Sequence, residues 1–116
     1  MPSSYFVYAA YDNKYKSAAE ACSAHDWIFV GKTKLLTNEQ PALAAERVVT
    51  ELTQSPDKYG KYLHESLVRS KSFHVQYLST WTPTIQSDAA QYPTDAEIHW
   101  ITQLEAAGGR IKNLAA

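Results

Sequence analysis

The sequence predicts a small α/β or α+β fold, and three observations carry that expectation. Aromatic and β-branched runs near residues 4–11, 27–36 and 73–80 alternate with segments of helical period. Hydrophobic residues make up 45% of the chain, with three Trp, eight Tyr and three Phe against four Gly and five Pro, so enough apolar surface exists to offset the ordering entropy of the backbone. No repeat, low-complexity tract or shift in composition divides the 116 residues. The expected architecture is a single compact domain over residues 1–116, with a small three- to four-stranded sheet covered by about four helices and a β-α-β unit at its start.

The run Ser4 to Tyr11 is apolar or aromatic at nearly every position, which fits an inner strand covered on both faces. Asp12-Asn13 supplies a turn and a candidate helix cap, and from Lys14 to Ala24 the residues Tyr15, Ala18, Ala19 and Cys22 fall on one helical stripe. Trp27 to Leu36 returns to β character, first continuous and then alternating, as for a strand whose end emerges into solvent. If the two strands are parallel, the unit is a right-handed crossover; the short connecting helix leaves an antiparallel arrangement open.

Thr37 to Pro41 has the chemistry of a helix start, with Thr37 and Gln40 spaced as a capping box. Leu43, Ala45, Val48, Val49 and Leu52 give the expected apolar stripe. Ser55-Pro56 ends this helix and begins a third, whose period runs through Tyr59, Tyr62, Leu63 and Leu67 to about Ser70. From Phe73 to Thr80 the alternation of Phe73, Val75 and Tyr77 with His74, Gln76 and Leu78 predicts a strand with one dry face. Trp81 to Pro93 reads as a long loop. Thr94 and Glu97 form a second capping box that opens a helix with Ile98, Ile101 and Leu104 on its buried stripe. Gly108-Gly109 stops it through a left-handed cap, leaving Arg110 to Leu114 as a short edge strand or a tail.

Charge bounds the function. The formal net charge of -1 lacks the basic character that accompanies phosphate-backbone binding, so nucleic acid ranks below protein as a partner. A single cysteine, Cys22, and a Met1-Pro2-Ser3-Ser4 start without a basic and apolar signal pattern predict the cytoplasm. No apolar run approaches the roughly 20 residues of a membrane helix. None of the four glycines belongs to a nucleotide-binding fingerprint, so no cofactor is expected.

Several constellations could carry chemistry, and each has a plainer explanation. Cys22 and His25 have the spacing of a Cys-His dyad or of half a zinc site, but Cys22 fits the helix stripe, His25 fits the helix end, and no second ligand pair supports a metal. His64-Glu65, His74 and Glu97-Ile98-His99 could supply acid-base groups to one cleft, although capping explains Glu97 and a polar strand face explains His74. Lys58, Tyr59, Lys61, Tyr62, Arg69 and Lys71 interleave cations with rings, as in single-stranded nucleic-acid binders, yet both tyrosines coincide with the core stripe of the expected third helix.

The most informative asymmetry lies later. From Ser72 to Gly109 there is no Lys or Arg, while Asp88, Asp95, Glu97 and Glu105 accompany Phe73, Tyr77, Trp81, Tyr92 and Trp100. A one-signed field next to large amphipathic rings suits recognition of a protein with a basic surface patch. The leading expectation is therefore a non-enzymatic protein-binding regulator: a small inhibitor, immunity-type protein or adaptor. Its binding residues would be Trp81, Asp88, Tyr92, Asp95, Trp100 and Glu105. A small hydrolase or transferase using Cys22 or a His/Glu cluster is the alternative, and a single-stranded nucleic-acid binder the third.

Overall fold

Strand β1 (Tyr5–Asp12) sits at the centre of the architecture, and every side chain from Phe6 to Tyr11 is buried. The computed structural model describes residues 4–36, 39–54, 73–82 and 95–111. Even positions Phe6, Tyr8 and Ala10 enter one core, and odd positions Val7, Ala9 and Tyr11 enter a second on the opposite face of the sheet. Alternation along the pleat requires this division, and the absence of charge between Tyr5 and Tyr11 permits it. The tyrosines of this region fill core rather than line a cleft: Tyr8 and Tyr11 are buried and Tyr5 is half-buried.

The chain leaves β1 through an Asx turn in which Asp12 Oδ1 accepts the Lys14 N–H at 2.9 Å. Helix α1 (Ala18–Ser23) starts later than the expected Lys14, because Ser17 and not Asp12-Asn13 is the cap: its Oγ accepts the Glu20 N–H at 3.1 Å. Ala18, Ala21 and Cys22 turn inward. His25 takes a left-handed conformation (φ 55°), and the Asp26 N–H reaches back to Ala21 O at 3.1 Å to end the turn.

Strand β2 (Trp27–Lys34) runs antiparallel to β1, pairing Tyr5 with Lys34 and Tyr11 with Ile28. The opening unit is therefore not a parallel β-α-β crossover. A six-residue helix extends about 9 Å, against about 26 Å for an eight-residue strand, so it cannot carry the chain back across the sheet. An antiparallel return needs no such span.

Helix α2 (Pro41–Gln54) begins with proline in its first turn, where the missing N–H has no intrahelical partner to lose. Of its expected stripe, Val48 is buried and Ala45 and Val49 pack beside it, but Ala44 is buried in place of Leu43, which is 56% exposed. Arg47 ties this helix to β2. Its Nε and Nη2 donate to Glu39 at 3.0 and 2.7 Å, Nη1 donates to Thr33 Oγ1 and Glu51 Oε1 at 3.1 Å each, and Nη2 also donates to Lys34 O at 2.8 Å.

Strand β3 (Phe73–Trp81) pairs antiparallel with the other side of β1. The register jumps between Val7 and Tyr8, which face Ser79 and Tyr77, so Leu78 is an extra residue in a β-bulge. Before the bulge Phe73 and Val75 join the core under α2; after it Leu78 and Trp81 join the core on the other face. Helix α3 (Asp95–Ala106) covers that second face with Ile101 and Leu104. Gly108 (φ 104°) and the Gly109 N–H, bonded to Leu104 O at 2.9 Å, close it as expected. The two-residue strand β4 (Arg110–Ile111) then lies parallel to β2.

The sheet order is β3-β1-β2-β4, mixed, with α2 on one face and α1 and α3 on the other. This is an α+β arrangement with three helices among the described residues rather than about four. The helix expected from Ser55 to about Ser70, the loop expected from Trp81 to Pro93, whose first residue instead ends β3, and the Thr37 and Thr94 caps lie largely or wholly outside them. No described helix is long and apolar enough to cross a membrane.

Candidate functional site

Of the acidic and aromatic residues expected to bind, Trp81 ends β3, and Asp95, Trp100 and Glu105 lie on α3. Residues 97, 101 and 104 recur at helical spacing and are the buried ones, so α3 turns Asp95, Ile98, His99, Thr102 and Glu105 to solvent. Ile98, expected on the buried stripe, is 47% exposed, and Glu97 is fully buried in its place.

Glu97 explains the rotation. Along β2 the side chains of Ile28, Val30 and Lys32 share one face, and Lys32 stands opposite Val7, which stands opposite Ser79 on β3. Lys32 Nζ donates to Glu97 Oε1 at 2.8 Å, so α3 brings its carboxylate down over the cation at the wet end of an otherwise apolar row. The same row receives Trp100, whose Nε1 donates to Ser79 Oγ at 2.9 Å. Trp81 lies one row further on, paired with Tyr5 at a ring separation of 5.8 Å.

Both indoles are half-buried and lean on the core beneath α3. Asp95 and Glu105 are exposed near opposite ends of the helix and form no ion pair among the described residues. Asp88 and Tyr92 lie outside the described residues. The one-signed field is thereby modified: Lys32, from the first half of the chain, offsets one of its carboxylates, Glu97, and leaves Asp95 and Glu105 on the outer face.

Among the described residues the catalytic candidates do not assemble. Cys22 is fully buried, and burial pushes its thiol up, opposed by the Gly109 N–H. His25 presents Nδ1 to Gly108 O at 3.0 Å and links the ends of α1 and α3. His74 is exposed on β3 with its ring against Tyr11, and His99 is exposed on α3 with its ring against Trp100. Among the described residues no three His, Cys, Asp or Glu side chains gather as a metal site. His64 and the basic segment Lys58 to Lys71 lie outside them.

A second polar cluster joins β1 to β2. Tyr15 Oη donates to Asp26 Oδ2 at 2.7 Å, Asp26 Oδ1 accepts the Trp27 N–H at 2.7 Å, and Lys14 Nζ stands 3.7 Å from Oδ2. Burial opposes ionisation of Asp26, but these three donors together hold its carboxyl below the usual range. The cluster clasps the loop between α1 and β2.

Two features escaped the sequence expectation: the Lys32–Glu97 pair and the exposure of Ile98. Both had a signal. A lysine that continues an apolar strand face and a glutamate spaced four and seven residues from Ile101 and Leu104 each require a partner of opposite charge if their elements touch. Comparison of the chain with protein-family models, with curated proteins and with solved structures gives no match.

Proposed function

We propose that the chain is a non-enzymatic protein-binding regulator, of the kind represented by small inhibitors, immunity-type proteins and adaptors, and that the outer face of α3 is its contact surface. The observation that carries this reading is the exposed Ile98 between the exposed carboxylates Asp95 and Glu105, on a helix with no Lys or Arg. The two acids are ten residues apart, about 15 Å along the helix, a span that suits a partner surface with separated basic groups. They would steer encounter and fix orientation, and Ile98 would supply desolvated contact. Trp100, half-buried, ties α3 to β3 through the Ser79 bond, Trp81 packs on Tyr5 within the sheet, and both offer their remaining exposed edges as the rim.

The test is affinity capture with wild type and with an Asp95→Lys/Glu105→Lys variant, followed by association-rate measurements on the recovered partner at low and high salt. A basic partner lost by the variant, with an association rate that falls as salt rises, supports the reading. Equal recovery of the same partner by both proteins contradicts it.

A further inference from the structure

Among the described residues strand β3 lies at the edge of the sheet, and its nine residues include no Lys, Arg, Asp, Glu or Pro. Edge strands of soluble proteins commonly carry such residues because unpaired backbone groups template further pairing. The direction of those groups follows from the ladder. The Leu35 N–H donates to Ser4 O, so even residues of β1 bond to β2 and odd residues bond to β3. Ala9 and Tyr11 face Gln76 and His74, which therefore turn their amides inward, while Phe73, Val75 and Tyr77 turn theirs outward. Among the described residues no hydrogen bond reaches these outward N–H and C=O groups.

The stretch before the bulge is its own complement. Phe73-His74-Val75-Gln76-Tyr77 reads aromatic, polar, β-branched, polar, aromatic. Antiparallel pairing with an identical strand about Val75 sets Phe73 against Tyr77 of the second copy, His74 against Gln76, and Val75 against itself. Each aromatic meets an aromatic, and no like formal charges oppose each other. Tyr77, 43% exposed, gains a cover. We infer that β3 is a homodimerisation edge at which two copies of this chain join their sheets through residues 73–77, an isologous contact independent of the α3 surface.

The test uses the full chain in sedimentation velocity up to millimolar concentration, with residue-resolved amide exchange. The expected result is a concentration-dependent dimer in which exchange slows at Val75 and Tyr77 as concentration rises and does not change at His74 and Gln76. Val75→Pro removes an outward N–H without touching the ladder to β1, and Tyr77→Lys places a charge at the edge. Each raises the dimer dissociation constant by more than about tenfold while circular dichroism shows a folded monomer. If one variant fails to fold the other decides, and exchange in the wild type decides if both fail. A monomer at every concentration, a dimer that survives in a folded variant, or amides at 75 and 77 indifferent to concentration overturns the inference. So does a wild type that stays monomeric while an extended peptide of another protein pairs with the edge.

Discussion

Lys32 Nζ and Glu97 Oε1 lie 2.8 Å apart across 65 residues of sequence, with the carboxylate fully buried and only 14% of the lysine side chain exposed. The pair joins the inner face of α3 to β2, together with Ile101, Leu104 and the Trp100 bond to Ser79, and leaves the opposite face to solvent.

Truncating one partner of this pair should be costly. Lys32→Met should cost about 3–5 kcal/mol in urea unfolding, because it removes the cation that stands 2.8 Å from a buried carboxylate. Lys32→Met/Glu97→Met should recover most of that loss, since two apolar groups of similar volume need no compensation. A double variant no more stable than the single one would show that the ion pair does not set the stability of this contact.

Acid should weaken the fold in a predictable window. The Arg47 guanidinium is the main cause holding the Glu39 carboxyl below its ordinary value of 4.5, and Tyr15, Trp27 and Lys14 outweigh burial to hold Asp26 below 3.8. A depressed folded value means that the stabilisation is complete above the ordinary value and is lost as pH falls through the folded one. Unfolding free energy should thus decline with pH below about 4.5, and Arg47→Met should flatten that decline while lowering stability at pH 7 by about 2 kcal/mol. Arg47→Lys should behave like Arg47→Met, because one ammonium cannot reproduce the fork to Glu39, Glu51, Thr33 and Lys34.

Cys22 should resist alkylation in the native protein and react fully once the chain is unfolded in denaturant. Its burial both blocks access and disfavours the thiolate. A native thiol that reacts as fast as a free cysteine would revive nucleophilic catalysis at α1.

Much of the fold was legible because burial on both faces leaves a simple mark. The uncharged run through β1 announced an inner strand, and Gly108-Gly109 announced the end of α3. Periodicity alone fixed the helix stripes only to within one position. At α2 it favoured the larger Leu43 over Ala44, and at α3 the apolar Ile98 over Glu97, yet contact with the sheet chose the smaller residue in one case and the charged one in the other. Such choices depend on elements distant in sequence: Lys32 for Glu97, and the Arg47 clamp to Lys34 and Thr33 for α2. Strand direction was likewise beyond periodicity, which is the same for parallel and antiparallel neighbours. The acids of the candidate surface were visible as a charge gap, but their division into an inner Glu97 and outer Asp95 and Glu105 required the helix to be docked.

Site-specific photo-crosslinking tests whether the outer face of α3 receives a basic partner, as proposed. A photoreactive side chain replaces Ile98 on α3 or, as a control, the somewhat more exposed Leu43 on the opposite face of the sheet. The account predicts one discrete adduct from position 98, diminished by high salt and by Asp95→Lys/Glu105→Lys, and none from position 43. Adducts of equal yield from both positions, or none from position 98 while the partner still binds, would contradict it.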